Sequence, residues 1–326
     1  MLGWEQLKTQ IRVTASSVEC PVRDCAQVVK RQRQRFQRND EFLCPQHGIF
    51  ISPSTFEYQS ESDNMLWATD DDLALWRCIN APGMKRESRV TRDNSEDAVT
   101  WNVFRFLEKC GLLGHFINMI GGEPLAVLPR IIYWSYCQSS HLGWQPLANA
   151  ASVFGESVER RSEPDLVIDD DRLLVFVENK FLSTNRTRPS MSWCSKRYTT
   201  GGDGWFSNVF ALFSDFQSIA VADELYQLMR LWLIGSWIAD QQNKAFVLIN
   251  VLRSQDKEEA NIEARFGKHI QTSPRRRFVR LTWEAIRNDL VAKASLSLDK
   301  ERLTTWFRNK TAGYDRNGWL RRAFSS

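Results

Sequence analysis

Histidine is scarce in this chain: only His47, His115, His141 and His269 occur. The sequence contains no G-x-S-x-G, no H-E-x-x-H and no Walker A run, which removes the usual signatures of serine hydrolases, zincins and P-loop enzymes. Gly201-Gly202-Asp203-Gly204 lacks the lysine and the strand-to-helix setting of a phosphate loop, and is expected to be a flexible loop. Long apolar runs are missing as well. The most apolar stretch, 225–239, is interrupted by Gln227, Arg230 and Ser236, so no membrane span is expected. The first nine residues mix acids and bases and offer no apolar core for a signal peptide, which favours a cytoplasmic protein. Seven cysteines are then not expected to build a disulfide framework. There is no internal repeat and no low-complexity segment.

What is present suits a folded protein. Apolar residues make up 43% of the 326, with thirteen tryptophans and nineteen phenylalanines to fill a core. The length suggests about two domains. The net charge of +4 is small, but the cations are clustered. Lys30, Arg31, Arg33, Arg35 and Arg38 form one group, Arg275, Arg276, Arg277 and Arg280 a second, and Arg321 and Arg322 a third. Each could be solvated surface; each could also neutralise phosphates and steer a polyanion.

The periodicity gives an outline. Ser95 can cap a helix whose stripe is Ala98, Trp101, Val103, Phe104 and Leu107. Residues 125–137 read as a strand or a bent strand. Residues 163–181 read as a hairpin: strand 166–168, the acidic turn Asp169-Asp170-Asp171, and the buried strand 173–177. A long loop over 181–203, a helix over 221–239, a strand over 245–251, a strand over 278–283 and a helix over 284–292 follow. The tail, 300–324, is expected to be helical with a break at Gly313.

The hairpin carries the chemistry. Glu178 and Lys180 are two apart on a strand and so share a face. Asp165, in Glu163-Pro164-Asp165, starts the partner strand, where a proline is tolerated. Two converging carboxylates can hold a hard divalent cation such as Mg2+, and an ammonium can orient a water or offset charge on a phosphorane. Alternatively, Asp165 caps a turn and Glu178 and Lys180 form a surface ion pair.

Pro164-Asp165 followed by Glu178-Asn179-Lys180 resembles the PD-(D/E)XK nuclease superfamily, which includes many restriction and repair endonucleases. The resemblance covers roughly residues 90 to 290. It implies an α/β fold: a restriction-endonuclease-like mixed central sheet flanked by helices. It implies Mg2+ or Mn2+ held by Asp165, Glu178 and the Asn179 carbonyl, with Lys180 assisting the water. It brings in Glu96, from the helix before the hairpin, as a third carboxylate, and Gln227 from the helix after it. Glu96 also suits the helix dipole. The implied partner is nucleic acid, with DNA favoured, in phage defence, restriction or mobile-element processing. A homodimer or a partner protein stays open, as does a non-cleaving DNA-binding or interaction subunit.

Cys20-Pro-Val-Arg-Asp-Cys25 and Cys44-Pro-Gln-His47 pair up as two knuckles. The pattern resembles a zinc ribbon with three cysteines and one histidine, and a closed four-ligand site would be structural. The basic residues between the knuckles could contact DNA or surround a protein-docking ribbon. The remaining cysteines, Cys78, Cys110, Cys137 and Cys194, read as ordinary thiols. The expected organisation is a zinc-ribbon-like module over 1–60, a connector over 61–93, a nuclease-like domain over 94–295 and a helical tail over 296–326.

Overall fold

Short strands separated by tight turns open the chain. β1 (Ser17–Glu19) pairs with β2 (Val28–Lys30), and β3 (Leu43–Cys44), β4 (Ile49–Ile51) and β5 (Phe56–Tyr58) form an antiparallel meander. α1 (Asp70–Ile79) and α2 (Glu96–Lys109) follow, then α3 (Leu113–Met119). The Ser95 hydroxyl accepts the Ala98 N–H at 3.2 Å, so the expected cap starts α2. β6 (Arg130–Tyr133), β7 (Tyr136–Cys137), β8 (Leu142–Gly143) and α4 (Gln145–Val153) lead to β9 (Leu166–Asp169) and β10 (Leu173–Asn179). α5 (Tyr226–Gln241), β11 (Ala245–Leu252), α6 (Ile262–Gly267), β12 (Arg276–Thr282), α7 (Trp283–Lys293), α8 (Ser297–Asn309), β13 (Thr311–Tyr314) and β14 (Leu320–Arg322) complete the order. This computed structural model describes residues 3–33, 36–81, 88–121, 129–156, 162–189, 211–257, 259–293 and 297–324. Arg35, Cys194 and the Gly201–Gly204 segment lie outside them.

The chain divides into two compact units. The first combines Met1–Ala74, Glu87–Leu112 and Glu284–Ser326, so α2 and the tail cluster with the N-terminal strands. Its small core joins Leu7, Ile11, Val18, Ile49 and Phe56 to Tyr314 and Leu320. The tail differs from the expected helix: α8 stops at Asn309, and 311–322 is a hairpin. Gly313 and Gly318 sit at φ 81° and 82°, where glycine alone is unstrained. Between them Asp315 Oδ1 accepts the N–H groups of Asn317 at 2.8 Å and Trp319 at 3.0 Å, closing the turn. Helix propensity loses to this turn chemistry.

The second unit, Leu75–Arg86 and Leu113–Trp283, holds a seven-stranded mixed sheet in the order β12-β11-β10-β9-β6-β7-β8. β10, β11 and β12 run parallel; the other neighbours are antiparallel. β10 is buried at every position and β11 at all but its first, which is what continuous apolar runs are expected to give. The bent segment before the hairpin is a reversal: Trp134 and Ser135 both take positive φ, 43° and 66°, and separate β6 from β7. α5 packs on β10 and β11. Gly235 allows the close approach, because a Cβ there would overlap the Phe246 ring. Leu228, Trp232, Phe246, Leu248 and Phe266 fill this core. Among the described residues no helix is long and apolar enough to cross a membrane.

Candidate functional site

The antiparallel register of β9 and β10 sets the first part of the site. Val177 pairs with Leu166, so one further step places Asp165 opposite Glu178. Directly opposed residues project to the same face, and Lys180, two beyond Glu178, projects there too. Asp165 is half-buried, whereas Glu178 and Lys180 are buried. Asp165 Oδ2 accepts the Asn179 N–H at 2.8 Å, and its Oδ1 accepts the Trp134 indole N–H at 3.3 Å. The Lys180 ammonium donates to Glu178 Oε1 and reaches Gln227 Oε1, at the start of α5, at 3.5 Å. The Lys180 main chain is held at both ends: its N–H donates to Val251 O at 2.8 Å, and its carbonyl accepts the Trp283 indole at 3.2 Å.

The sheet thus brings together Asp165, Glu178, Asn179, Lys180 and Gln227. Glu96 opens α2 in the first unit and stands outside the unit that carries these five. The donor set suits a hard cation. Carboxylate oxygens dominate it, the ligand type such an ion prefers.

A buried polar network that the sequence did not announce lies beneath Glu178. Asn250, its parallel partner on β11, donates from its amide to Glu178 O at 3.1 Å. Asn250 and Asn185 exchange amide hydrogen bonds at 2.8 and 3.1 Å. Asn185 also donates from its N–H and its amide to the two oxygens of Glu259, at 3.2 and 2.9 Å, and Arg265 lies 3.9 Å from that carboxylate. Asn250, Asn185 and Glu259 are all essentially inaccessible. Two residues on, Thr187 accepts the Tyr226 N–H with its carbonyl at 3.1 Å and the Gln227 N–H with its hydroxyl at 2.8 Å. The strap from Lys180 to Thr187 is therefore pinned to β11 at one end and to α5 at the other, which fixes Gln227 against Lys180. The one sequence signal was an asparagine inside an otherwise apolar strand.

The first unit carries the second site. Cys20 and Cys25 flank a knuckle that turns through Asp24 at φ 61°, and Cys44 and His47 flank one that ends at Gly48, φ 60°. Their ligand atoms all lie within 4.8 Å of one another. Cys20 Sγ and Cys44 Sγ are each 3.6 Å from His47 Nδ1, and Cys25 Sγ is 3.9 Å from Cys44 Sγ. Zn–S bonds of about 2.3 Å on a tetrahedron require sulfurs about 3.8 Å apart, so the four residues can hold a zinc ion as they stand. Burial, and then the neighbouring Cys44 thiol, push the Cys20 pKa up. Lys8 braces the first knuckle by donating to Cys20 O at 3.0 Å and Cys25 O at 2.6 Å.

Cys44→Ser is expected to lose bound zinc and to destabilise the first unit by on the order of 5 kcal/mol. Metal analysis and thermal melting check this; unchanged zinc content would count against the site. No family model, no curated protein and no solved structure matches this chain.

Proposed function

We propose that the second unit is a metal-dependent nuclease of the PD-(D/E)XK kind and that the zinc centre of the first unit is structural. The observation that carries this reading is Asp165 and Glu178 facing each other across β9 and β10 with the Lys180 ammonium on Glu178. The seven-stranded mixed sheet, with α5 laid on its parallel half, suits a restriction-endonuclease-like core.

In this reading Asp165, Glu178 and the Asn179 carbonyl would hold Mg2+ or Mn2+. Such an ion, when bound, polarises a phosphate and acidifies a water. Asp165 is half-buried and so marks the open side from which a phosphodiester approaches. Lys180 offsets negative charge as it builds on the phosphate and orients the attacking water. Gln227, on its pinned helix, keeps the ammonium aimed. DNA is the favoured polymer and defence or mobile-element processing the favoured setting, both through the superfamily likeness.

The test is cleavage of supercoiled plasmid and linear duplex with Mg2+ or Mn2+ by the wild type and by Asp165→Ala. The wild type is expected to cut and the variant to lose at least about a hundredfold in rate. Equal cleavage by both sinks the assignment. Binding without cutting by both would make the chain a DNA-binding subunit.

A further inference from the structure

Just past β2, burial alternates over residues 31–33: Gln32 is buried, whereas Arg31 and Arg33 are not. Gln32 points inward. It is buried, its amide donates to Ile51 O at 3.1 Å, and its carbonyl oxygen accepts the Gln37 N–H at 2.7 Å. Arg31 and Arg33 therefore share the opposite side. Arg31 donates to Thr14 O at 2.7 Å, and Arg33 Nε donates to Ala15 O at 3.0 Å. Beside them runs a groove of about 730 Å³ lined by Ala15, Ser16, Lys30, Arg31, Arg33 and Phe42, among others.

Three features give this groove a preference. Lys30 is paired with Glu41 at 2.8 Å, but the two guanidiniums are bound to neutral carbonyls, so their charge is not cancelled there. No aspartate or glutamate lines the groove among the described residues. Each guanidinium has five donors in a rigid fork; the carbonyl takes one edge and leaves donors for a ligand. The carbonyl contacts also hold both side chains in place before binding, which lowers the ordering cost. A protein partner would need an apolar anchor pocket at the centre of its contact, and Phe42, itself buried, is the only large apolar residue in the lining among the described residues.

We propose that this groove seats the sugar–phosphate backbone of a nucleic acid, with Arg31 and Arg33 each contacting phosphate. The proposal rests on the nuclease reading for its polymer, and it makes the zinc-bearing unit a second point of substrate contact.

The experiment measures binding of a 30-base-pair duplex to full-length protein in the non-cutting Asp165→Ala background, by fluorescence anisotropy at several salt concentrations. Adding Arg31→Gln and Arg33→Gln should weaken binding about tenfold and reduce the slope of log affinity against log salt by roughly 2. Lys257→Gln, an exposed cation elsewhere, should change neither. Zinc content is measured in every variant. Arg33→Gln alone, at an exposed position, decides the matter should the pair lose zinc: the slope falls by about 1 or the proposal fails. Unchanged affinity and slope in the zinc-loaded arginine variants would overturn it, as would competition by polyglutamate as strong as by DNA. Neither result bears on whether Asp165→Ala abolishes cleavage, so the two readings fail separately.

Discussion

If the second unit is the proposed nuclease, Lys180→Met is expected to cut DNA roughly a thousandfold more slowly than the wild type, a loss of about 4 kcal/mol of transition-state stabilisation. Methionine retains the aliphatic stem and removes only the ammonium. The main-chain anchors of this position, on Val251 O and the Trp283 indole, do not involve the side chain, so the strand end keeps its place. What disappears is the charge on Glu178 Oε1 and the donor facing Gln227. The buried Glu178 carboxylate then lacks its nearest cation. Single-turnover cleavage reads the chemical step, and a melting temperature close to the wild type's excludes unfolding as the cause. Gln227→Ala is milder, about tenfold, because its carbonyl meets the ammonium only at 3.5 Å. A Lys180→Met enzyme that cut at the wild-type rate would remove the lysine from the mechanism.

Asp93→Ala destabilises the first unit by about 3–5 kcal/mol, whereas Lys310→Met is neutral or stabilising. Lys310 is fully buried, with its ammonium 3.6 Å from Asp93 Oδ1, 2.7 Å from Asp93 O and 5.0 Å from the Trp306 ring, and it donates to Asn64 Oδ1. Removing the carboxylate leaves a buried positive charge held only by neutral partners. Removing the ammonium instead leaves Asp93 with the Tyr58 hydroxyl at 2.8 Å, the Thr311 N–H at 3.2 Å and the Thr311 hydroxyl. pH adds a second signature. Burial pushes the Lys310 pKa down to about 8. The folded chain sheds this proton near pH 8, and the unfolded chain holds it to about 10.4. In that window the unfolded state binds more protons, so Lys310 makes wild-type stability rise with pH. The advantage of Lys310→Met over the wild type is therefore widest below pH 8 and shrinks above it. Denaturant melts at pH 7 and pH 9.5 measure both effects. Equal losses in the two variants would contradict this account.

Local signals carried much of the second unit. Five successive apolar residues before Glu178 announced a buried strand, and the acidic turn announced its partner, so β9 and β10 were legible from 163 to 181. Ser95 announced α2 through one hydroxyl. Several of the features that escaped depend on pairs distant in sequence. Glu259 and Asn185 are 74 residues apart, and Lys310 and the carbonyl of Asp93 are 217 apart; neither has a local pattern. The tail was misjudged because α8 has good helical periodicity and the chain simply continues past it. The reversal depends on two glycines and one aspartate, and the groove between 31–33 and 15–16 depends on a buried glutamine no periodicity could single out.

The hairpin of β13 and β14 has a consequence for how the protein is made. Tyr314 reaches Ser52 O across 262 residues, and Leu320 donates to Thr9 O. At about 5–20 residues per second, a ribosome needs roughly 13–50 s to add that much chain. For that interval the knuckles that carry Cys20, Cys25, Cys44 and His47 lack the strands that pack against them in the finished core, while their thiols are already exposed to solvent. A zinc ion captured early would protect those thiols, and the closing hairpin would then seal a cluster already loaded.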